Sequence, residues 1–301
     1  GGGRGGGGAM GGWLRRLCGC LAAVLAVLIA LELAEPGPPG PPPPPHPAVA
    51  SAPPAVPRFG DCLMEKRAKA LLNCGSRCDV VFVGDSIIEG LTSEYCYFNA
   101  RNTFECGPSY CPLKDDEGGR AFREAFAHHA KSLIVAGAGD ETQHTLSVLD
   151  AVLPTLQAPK AYSVLIGTNN IPSFSMPGNA SLVLSGVSAV VGRLRSAHPT
   201  SKVLLHAVLP RADDAPGGFN AWIPLHNKPW LDRVFELNEA MAAWAESQAP
   251  AVEFVNCSGV FPLPSEGLRE LMPDLLHPNG AGYRRWFKCW EAAIGRVLAT
   301  E

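Results

Sequence analysis

Val81-Phe82-Val83-Gly84-Asp85-Ser86 is the stretch of sequence that decides the fold of this chain. The run from Asp79 to Val83 is almost entirely apolar and does not alternate with polar residues, which is typical of a strand buried on both faces of a sheet. Gly84 permits a sharp turn, and we expect a helix to begin at Ile87. The stretch therefore predicts a buried strand that turns directly into a helix, with a serine hydroxyl at the helix start.

The same pattern recurs along the chain from about Arg58 onward. Apolar runs of strand length, rich in Val, Ile and Leu, alternate with stretches in which apolar residues recur three and four positions apart. The further predicted strands are Ser132–Ala136, Tyr162–Ile166, Lys202–Leu209 and Val252–Val255, and the predicted helices are 119–131, 182–197, 230–247 and 279–300. This alternation predicts an α/β fold, a single three-layer α/β/α domain around a parallel five-stranded sheet.

Two stretches interrupt the alternation. Residues 92–118 contain Cys96, Cys106 and Cys111 with little periodicity, so we expect a disulfide-tied excursion after the first strand and its helix. Residues 211–229 form a long connection that contains Pro, Gly and aromatic residues. Long loops that follow strand ends often carry binding surfaces, so this one is a candidate substrate wall, with an ordinary packed loop as the equal alternative.

Short polar blocks follow successive predicted strands. Ser86 follows the first strand, Gly139 the second and Asn169 the third. Asp274 and His277 come after the fifth strand. Because open parallel α/β sheets bind ligands outside the carboxyl ends of their strands, we expect all of these residues at one edge of the sheet.

These residue types supply what acyl transfer requires. Ser86 is a candidate nucleophile, His277 a candidate general base, and Asp274 a carboxylate that would orient the imidazole. The backbone N–H groups of Ser86 and Gly139 and the side-chain amide of Asn169 are candidate donors for an oxyanion hole. Each residue has an ordinary alternative when taken alone, because a serine can cap a helix and the other residue types are common in turns. Their joint arrangement favours the catalytic interpretation.

The blocks resemble those of the SGNH or GDSL hydrolases, over about residues 79–299. The matching motifs are Val81–Ser86, Gly139–His144, Ile166–Asn170 and Asp274–His277, with Ile87 where the family name expects leucine. Within that family, Thr142-Gln143-His144 and Val208-Leu209-Pro210-Arg211 are most similar to the platelet-activating-factor acetylhydrolase alpha-type subunits. The resemblance implies a flavodoxin-like sheet and a Ser-His-Asp ester hydrolase that needs neither metal nor cofactor.

The first 57 residues differ in kind from the rest of the chain. Arg15-Arg16 precedes an apolar stretch from Leu17 to Leu31, which is shorter than the ~20 residues of a membrane span and matches the core of a signal peptide. We therefore expect a signal peptide or signal anchor in residues 1–35, a proline-rich linker in 36–57 and the esterase domain in 58–301. If the apolar segment is not cleaved, it would anchor the protein in a membrane.

Cysteine usage indicates the same compartment. Eight of the ten cysteines follow the leader, which allows up to four disulfides whose pairing the spacing does not determine. The chain has no Cys-x-x-Cys pair, so disulfides are favoured over a zinc site. We expect an extracytoplasmic protein, secreted or anchored in the secretory pathway. The formal net charge of -3 gives no basic footprint, so we expect no nucleic-acid partner.

The sequence thus predicts a serine esterase that removes a short acyl group, above all acetyl, from a lipid or a glycan through an acyl-enzyme. Two alternatives are left open by the residues. One is a membrane-anchored acyltransferase that passes the acyl group to a glycan in a secretory lumen, which the leader, the linker and the cysteines motivate. The other is a catalytically idle binding module of the same fold.

Overall fold

The computed structural model of the protein describes residue 74 and residues 76–92, 94–98, 104–108, 117–126, 131–172, 180–211, 230–263 and 265–299. All of them belong to one compact unit, Val49–Glu301. The predicted leader, the proline-rich linker and residues 212–229 of the candidate substrate wall lie outside this part of the chain. None of the helices that the structure describes combines the length and the apolar character of a membrane span.

A parallel sheet forms the centre of the fold. In chain order the strands are β1 (Val80–Gly84), β2 (Glu94–Phe98), β3 (Phe104–Pro108), β4 (Ser132–Ala136), β5 (Ala161–Leu165), β6 (Lys202–His206) and β7 (Val252–Val255). The five-stranded sheet has the order β4-β1-β5-β6-β7, and each neighbouring pair in it is parallel. This is the doubly wound, flavodoxin-like order, so the predicted fold class is confirmed. The register pairs Gly84 with Ala136 on one side and with Leu165 on the other.

Helices cover both faces of the sheet. They are α1 (Ser86–Glu89), α2 (Glu117–Phe126), α3 (Thr142–Val152), α4 (Ala180–Ala197), α5 (Trp230–Ser247), α6 (Ser265–Leu271) and α7 (Gly280–Leu298), with short 3-10 helices at Gly90–Thr92, Leu153–Thr155 and Ser258–Val260. One core lies between the sheet and α3, α4 and α5, and the other lies between the sheet and α2 and α7. Val81 and Val83 enter the first core, whereas Val80 and Phe82 enter the second, because successive side chains of a strand point to opposite faces. This double burial explains the unbroken apolar runs in the sequence.

An aromatic cluster docks α7 on the second face. The ring of Phe82 lies 5.9 Å from that of Trp290, and Phe126 stacks on Trp290 with ring centroids 5.0 Å apart. Trp286 and Trp290 are fully buried, and burying a large apolar side chain stabilises a fold by about 1.5–3 kcal/mol. The cluster therefore fixes the position of α7 and of the loop that leads into its first residue, Gly280.

Several features differ from the prediction, and helix α6 is one of the elements that the sequence does not predict. Residues 92–118, for which the sequence predicts an irregular excursion, contain an antiparallel pair of strands, β2 and β3, in which Cys96 and Cys106 are register partners. Helix α3 is not predicted at all, because its β-branched and polar residues weaken the helical pattern. Strand β6 ends at His206 and not at Leu209, since Asn238 of α5 accepts a hydrogen bond from the Val208 N–H at 2.8 Å and donates one to its carbonyl at 2.9 Å.

Two disulfides connect described cysteines. Cys74 is joined to Cys78, with Cα atoms 5.5 Å apart, and Cys257 is joined to Cys289, with Cα atoms 6.0 Å apart. The second bond links the end of the sheet, just after β7, to the middle of α7. Cys62 and Cys111 lie outside the described residues.

Candidate active site

Ser86 stands at the turn between β1 and α1. It is the first residue of α1, and the preceding residue, Asp85, caps that helix by accepting a hydrogen bond from the Ile87 N–H at 3.0 Å. Gly84 makes the turn possible, because a Cβ atom added there would lie 2.4 Å from the Leu165 carbonyl oxygen. The predicted arrangement of strand, glycine turn and helix is therefore present, although the strand and the helix each differ by one residue from the predicted bounds.

A hydrogen-bonded chain links Ser86 to residues almost two hundred positions later. The Ser86 hydroxyl lies 2.8 Å from Nε2 of His277, and Nδ1 of the same imidazole lies 2.6 Å from Oδ2 of Asp274. The carboxylate accepts from Nδ1–H, which leaves Nε2 as the acceptor for the hydroxyl proton. Ser86 and His277 are buried but keep 8% and 7% of their surfaces exposed, so solvent reaches the pair.

The loop from Met272 to Asn279 holds this histidine in place. Oδ1 of Asp274 accepts hydrogen bonds from the backbone N–H groups of Leu276 and His277, at 3.0 and 2.7 Å. Leu275, which lies between Asp274 and Leu276, adopts a left-handed backbone conformation with φ at 62°, and its side chain is buried. Burial by itself would raise the pKa of Asp274, but the hydrogen bonds and the proximity of His277 outweigh it and hold the pKa below its usual value. The carboxylate is therefore charged at neutral pH.

The loops that carry Gly139 and Asn169 follow β4 and β5, the two neighbours of β1 in the sheet. They consequently leave the sheet on either side of the strand that leads to Ser86. Gly139 has φ at 73°, a conformation that side-chain-bearing residues rarely adopt. The side-chain amide of Asn169 donates a hydrogen bond from Nδ2 to the Asp140 carbonyl at 3.0 Å. This bond ties the two loops together and fixes which end of the amide is the donor.

Asn170 reinforces the same junction. Its Oδ1 accepts from the Thr142 N–H at 3.1 Å, and its Nδ2 lies 3.2 Å from the Thr142 hydroxyl and 3.3 Å from Oε1 of Gln143. The residue is fully buried, so these bonds satisfy an amide that would otherwise be costly to enclose. Asn170 was quoted in the sequence analysis only as part of a motif, and its contacts give it a structural role between the loops.

Buried charged residues that were not predicted for the site lie near it, among them Asp85 and Arg211. Asp85 is fully enclosed, and burial raises its pKa to about 6, although the Ile87 N–H and the proximity of His277 and Arg211 act in the opposite direction. Arg211 is 1% exposed and donates from Nη1 to the Thr168 carbonyl at 2.7 Å. The sequence signal for it would have been an arginine at the end of the apolar run Val208-Leu209-Pro210, since an enclosed arginine is rare unless paired.

The sequence model of the GDSL-like lipase/acylhydrolase family matches residues 82–285, which is more than half of the chain. The chain belongs to this family. The matched range contains all five residues predicted for the site, Ser86, Gly139, Asn169, Asp274 and His277. A comparison with curated proteins gave no match.

Solved structures share the fold of this acylhydrolase. A protein from Streptococcus pneumoniae provisionally named a platelet activating factor is 24% identical, with 77% of this chain and 92% of that one covered and a TM-score of 0.54. Est24, a carbohydrate acetylesterase from Sinorhizobium meliloti, is 17% identical, with 74% and 99% covered and a TM-score of 0.50. The aryl esterase of M. smegmatis is 15% identical, with 74% and 100% covered and a TM-score of 0.52.

At these identities the likeness shows the fold alone, so the predicted closeness to platelet-activating-factor acetylhydrolase alpha-type subunits stays a prediction. The expectation that the acylhydrolase uses neither metal nor cofactor also stays one. Within the described part of the chain, no group of three or more His, Cys, Asp and Glu side chains is placed to hold a metal ion.

Proposed function

We propose that this acylhydrolase is a serine esterase that removes a short acyl group, acetyl in the first instance, from a lipid or a glycan through an acyl-enzyme. The observation that carries the proposal is the chain of hydrogen bonds from Ser86 through His277 to Asp274, with lengths of 2.8 and 2.6 Å. A hydroxyl, an imidazole and a carboxylate in this order form the arrangement that activates a serine for acyl transfer.

In the first step the Ser86 oxygen attacks the ester carbonyl carbon while Nε2 of His277 takes the hydroxyl proton. The C=O π electrons move to the carbonyl oxygen, which becomes an oxyanion. Asp274 stabilises the imidazolium that results, and its hydrogen bond keeps the ring in the tautomer that the step requires. Collapse of the tetrahedral intermediate breaks the bond to the alcohol oxygen, which leaves with the proton from His277.

The second step reverses the roles with water. His277 takes a proton from a water molecule whose oxygen attacks the acyl-enzyme carbonyl, and then returns that proton to the Ser86 oxygen as the acid is released. In both steps the oxyanion would accept hydrogen bonds from the backbone N–H groups of Ser86 and Gly139 and from the Asn169 amide. That amide has two N–H bonds and uses one for the Asp140 carbonyl, so the other remains for the substrate.

The proposed substrate and the proposed cellular location are supported by different observations. The predicted similarity of Thr142-Gln143-His144 and Val208-Leu209-Pro210-Arg211 to platelet-activating-factor acetylhydrolase alpha-type subunits favours an acetyl ester. The two disulfides favour an extracytoplasmic location, secreted or anchored through the N-terminal apolar segment, because such bonds persist in oxidising compartments.

The test uses the purified full-length chain and p-nitrophenyl acetate. Ser86→Ala removes the nucleophile, and we expect kcat to fall by about 10⁴-fold or more while the melting temperature is unchanged within a few degrees. A partly buried serine of α4 that lies outside the site provides the control, and Ser188→Ala should retain full turnover. Acid-quenched wild-type enzyme should carry an acetyl group on the peptide that contains Ser86.

A panel of acetylated sugars, lysolipid acetates and longer acyl esters then identifies the alcohol and the acyl length. Product analysis with and without a polysaccharide acceptor separates hydrolysis from acyl transfer, since a transferase forms a new glycan ester at the expense of free acid. Undiminished turnover of Ser86→Ala would refute the nucleophile. A folded wild-type protein whose Ser86 reacts with no fluorophosphonate probe would favour the idle binding module.

A further inference from the structure

Arg211 is a buried cation that donates a hydrogen bond to the backbone of the loop that carries Asn169. It ends the extended segment Ala207–Arg211 that follows β6, and every residue of that segment is buried. Nη1 of Arg211 lies 2.7 Å from the Thr168 carbonyl oxygen and 3.4 Å from the Thr168 hydroxyl. An enclosed guanidinium is expensive to place, so a short, charge-assisted bond to one particular carbonyl indicates a defined role.

The carbonyl that Arg211 binds belongs to the peptide unit that joins Thr168 to Asn169. A hydrogen bond to that oxygen fixes the orientation of the planar peptide group that leads into Asn169. The Asn169 amide in turn donates to the Asp140 carbonyl at 3.0 Å, one residue beyond Gly139. The guanidinium thus begins a series of hydrogen bonds that runs through Asn169, one of the three donors assigned to the oxyanion, to the loop that carries Gly139, another of them.

Arg211 is itself held firmly. Asn238 of α5 makes two hydrogen bonds to the backbone of Val208, at 2.8 and 2.9 Å, and these stop the segment from continuing the sheet. The guanidinium carbon of Arg211 lies 5.9 Å from the centre of the Trp230 ring, a cation–π distance. The position of the cation is therefore set by α5 and not by the substrate.

The charge of Arg211 also acts on Asp85, the residue next to the nucleophile. Its positive charge favours the ionised form of Asp85, the buried residue that directly precedes Ser86, as does the neighbouring His277. In an enclosed, low-dielectric site such charges act over longer distances than in water. The same positive charge would stabilise the negative charge that develops on an oxyanion held by Asn169.

We propose that Arg211 is a positioning residue for acyl transfer, which holds the Thr168–Asn169 peptide so that the Asn169 amide meets the oxyanion. The inference rests on the proposed function, because it assigns a role within the same reaction. Nη1 of Arg211 bonds to Thr168, the residue that precedes Asn169, so we expect its effect on catalysis to pass through Asn169.

A double-mutant cycle in the full-length enzyme tests this dependence. Arg211→Gln removes the charge and the planar fork, and we expect kcat for p-nitrophenyl acetate to fall about 10- to 100-fold, with KM changed by less than about threefold. Asn169→Ala should slow the enzyme by about 100-fold or more. If Arg211 acts through Asn169, the double variant is no slower than Asn169→Ala within about threefold, because the residue to be positioned is already absent.

Two further variants complete the design. Arg211→Lys keeps the charge and one donor, and we expect a kcat between those of the wild type and Arg211→Gln. It also serves as the second test if Arg211→Gln does not fold. Arg193 provides the matched control, since it is a half-exposed arginine whose Nε binds Asp150 at 2.7 Å, and Arg193→Gln should leave kcat unchanged.

The outcomes separate the inference from the proposed function. Multiplicative losses in the double variant, or an unchanged kcat in folded Arg211→Gln, would overturn the positioning role while the esterase assignment stands. A folded Asn169→Ala enzyme with full activity would overturn both the oxyanion assignment and the role of Arg211. An undiminished Ser86→Ala enzyme would remove the proposed function itself.

Discussion

Two serine–histidine hydrogen bonds of equal length lie in different places within the described part of the chain. At the carboxyl edge of the sheet the Ser86 hydroxyl lies 2.8 Å from His277 Nε2. In the interior, between the sheet and α7, the Ser163 hydroxyl lies 2.8 Å from His206 Nε2. Both pairs are buried, although only Ser86 and His277 keep a small exposed surface, so the distance by itself does not distinguish the candidate site from the packed core.

The second nitrogen of each imidazole makes the difference. Nδ1 of His277 is bonded to a carboxylate, whereas Nδ1 of His206 has no hydrogen-bond partner among the residues that the structure describes. The His206 ring is enclosed edge to face by Trp286 and Trp290, with centroids 5.5 and 4.8 Å away, and burial lowers its pKa to about 3. A serine–histidine contact becomes a candidate for catalysis when a carboxylate orients the ring and an open edge admits a substrate.

The largest expected effect comes from making His277 resemble His206. Asp274→Asn keeps the shape of the side chain but removes the charge that holds the imidazole tautomer, and we expect kcat for p-nitrophenyl acetate to fall by about 10³- to 10⁴-fold. Asp150→Asn, on the exposed face of α3, serves as the control and should retain full activity. A loss smaller than about tenfold in folded Asp274→Asn would mean that the carboxylate is not what separates the two pairs.

An intermediate effect concerns stability in acid. The pKa of His206 is lower in the folded protein than in the unfolded chain, so the unfolded state binds the proton first as the pH falls. The contribution of the neutral His206 to the free energy of unfolding is complete above pH ~6.5. It is lost as the pH falls toward ~3, at up to about 1.4 kcal/mol per pH unit. His206→Phe removes this dependence. Between pH 7 and 4.5 we expect the variant to lose about 2 kcal/mol less unfolding free energy than the wild type, measured with urea.

Asp85 acts with the opposite sign in the same experiment. Burial raises the pKa of Asp85 in the folded protein to about 6, so its charged form lowers the free energy of unfolding above that pH. This destabilisation is relieved as the pH falls from 6 toward the lower pKa of Asp85 in the unfolded chain. Because Asp85 is present in both proteins, the difference between them isolates His206. Equal acid sensitivity of the wild type and His206→Phe would show that the enclosed imidazole does not resist protonation.

The smallest expected effect comes from the interior serine. Ser163→Ala removes one buried hydrogen bond, and we expect a loss of about 1 kcal/mol in the free energy of unfolding with kcat unchanged within about twofold. Turnover with p-nitrophenyl acetate and urea unfolding at pH 7.5 measure the two quantities. A drop in kcat of tenfold or more in the folded variant would contradict the distinction drawn between the pairs.

Much of the sheet can be predicted from sequence because strands buried on both faces read as unbroken apolar runs. The bounds of β4 and β7 agree with the predicted ones, and β1 and β5 are shifted by one residue. Helix α3 escapes prediction since its start is capped by Glu141 and His144, side chains that carry no standard capping signature. The end of β6 depends on Asn238, thirty positions away, and no local pattern reports such a contact.

The residues of the candidate site also differ in how far the sequence predicts them. Ser86, His277 and Asp274 could be selected because their residue types and their places after strands are visible in the chain, and the structure brings them into one hydrogen-bonded series. Arg211 was not selected, because an arginine at the end of an apolar run indicates burial but not the bond to Thr168, which only the folded sheet creates. Residues that act by holding other residues leave little trace in a single sequence.

The Cys257–Cys289 bond closes a ring of the chain, with a sequence separation of 32, and both Asp274 and His277 lie inside that ring. Closing a ring of this size raises the free energy of the unfolded state, and so stabilises the fold, by about 3–4 kcal/mol. During synthesis Ser86 emerges 191 residues ahead of His277, and the ring stays open until Cys289 has followed. The loop that carries Asp274 and His277 is thus enclosed in a ring that only the oxidised chain contains, so we expect the stability of this half of the site to depend on disulfide formation.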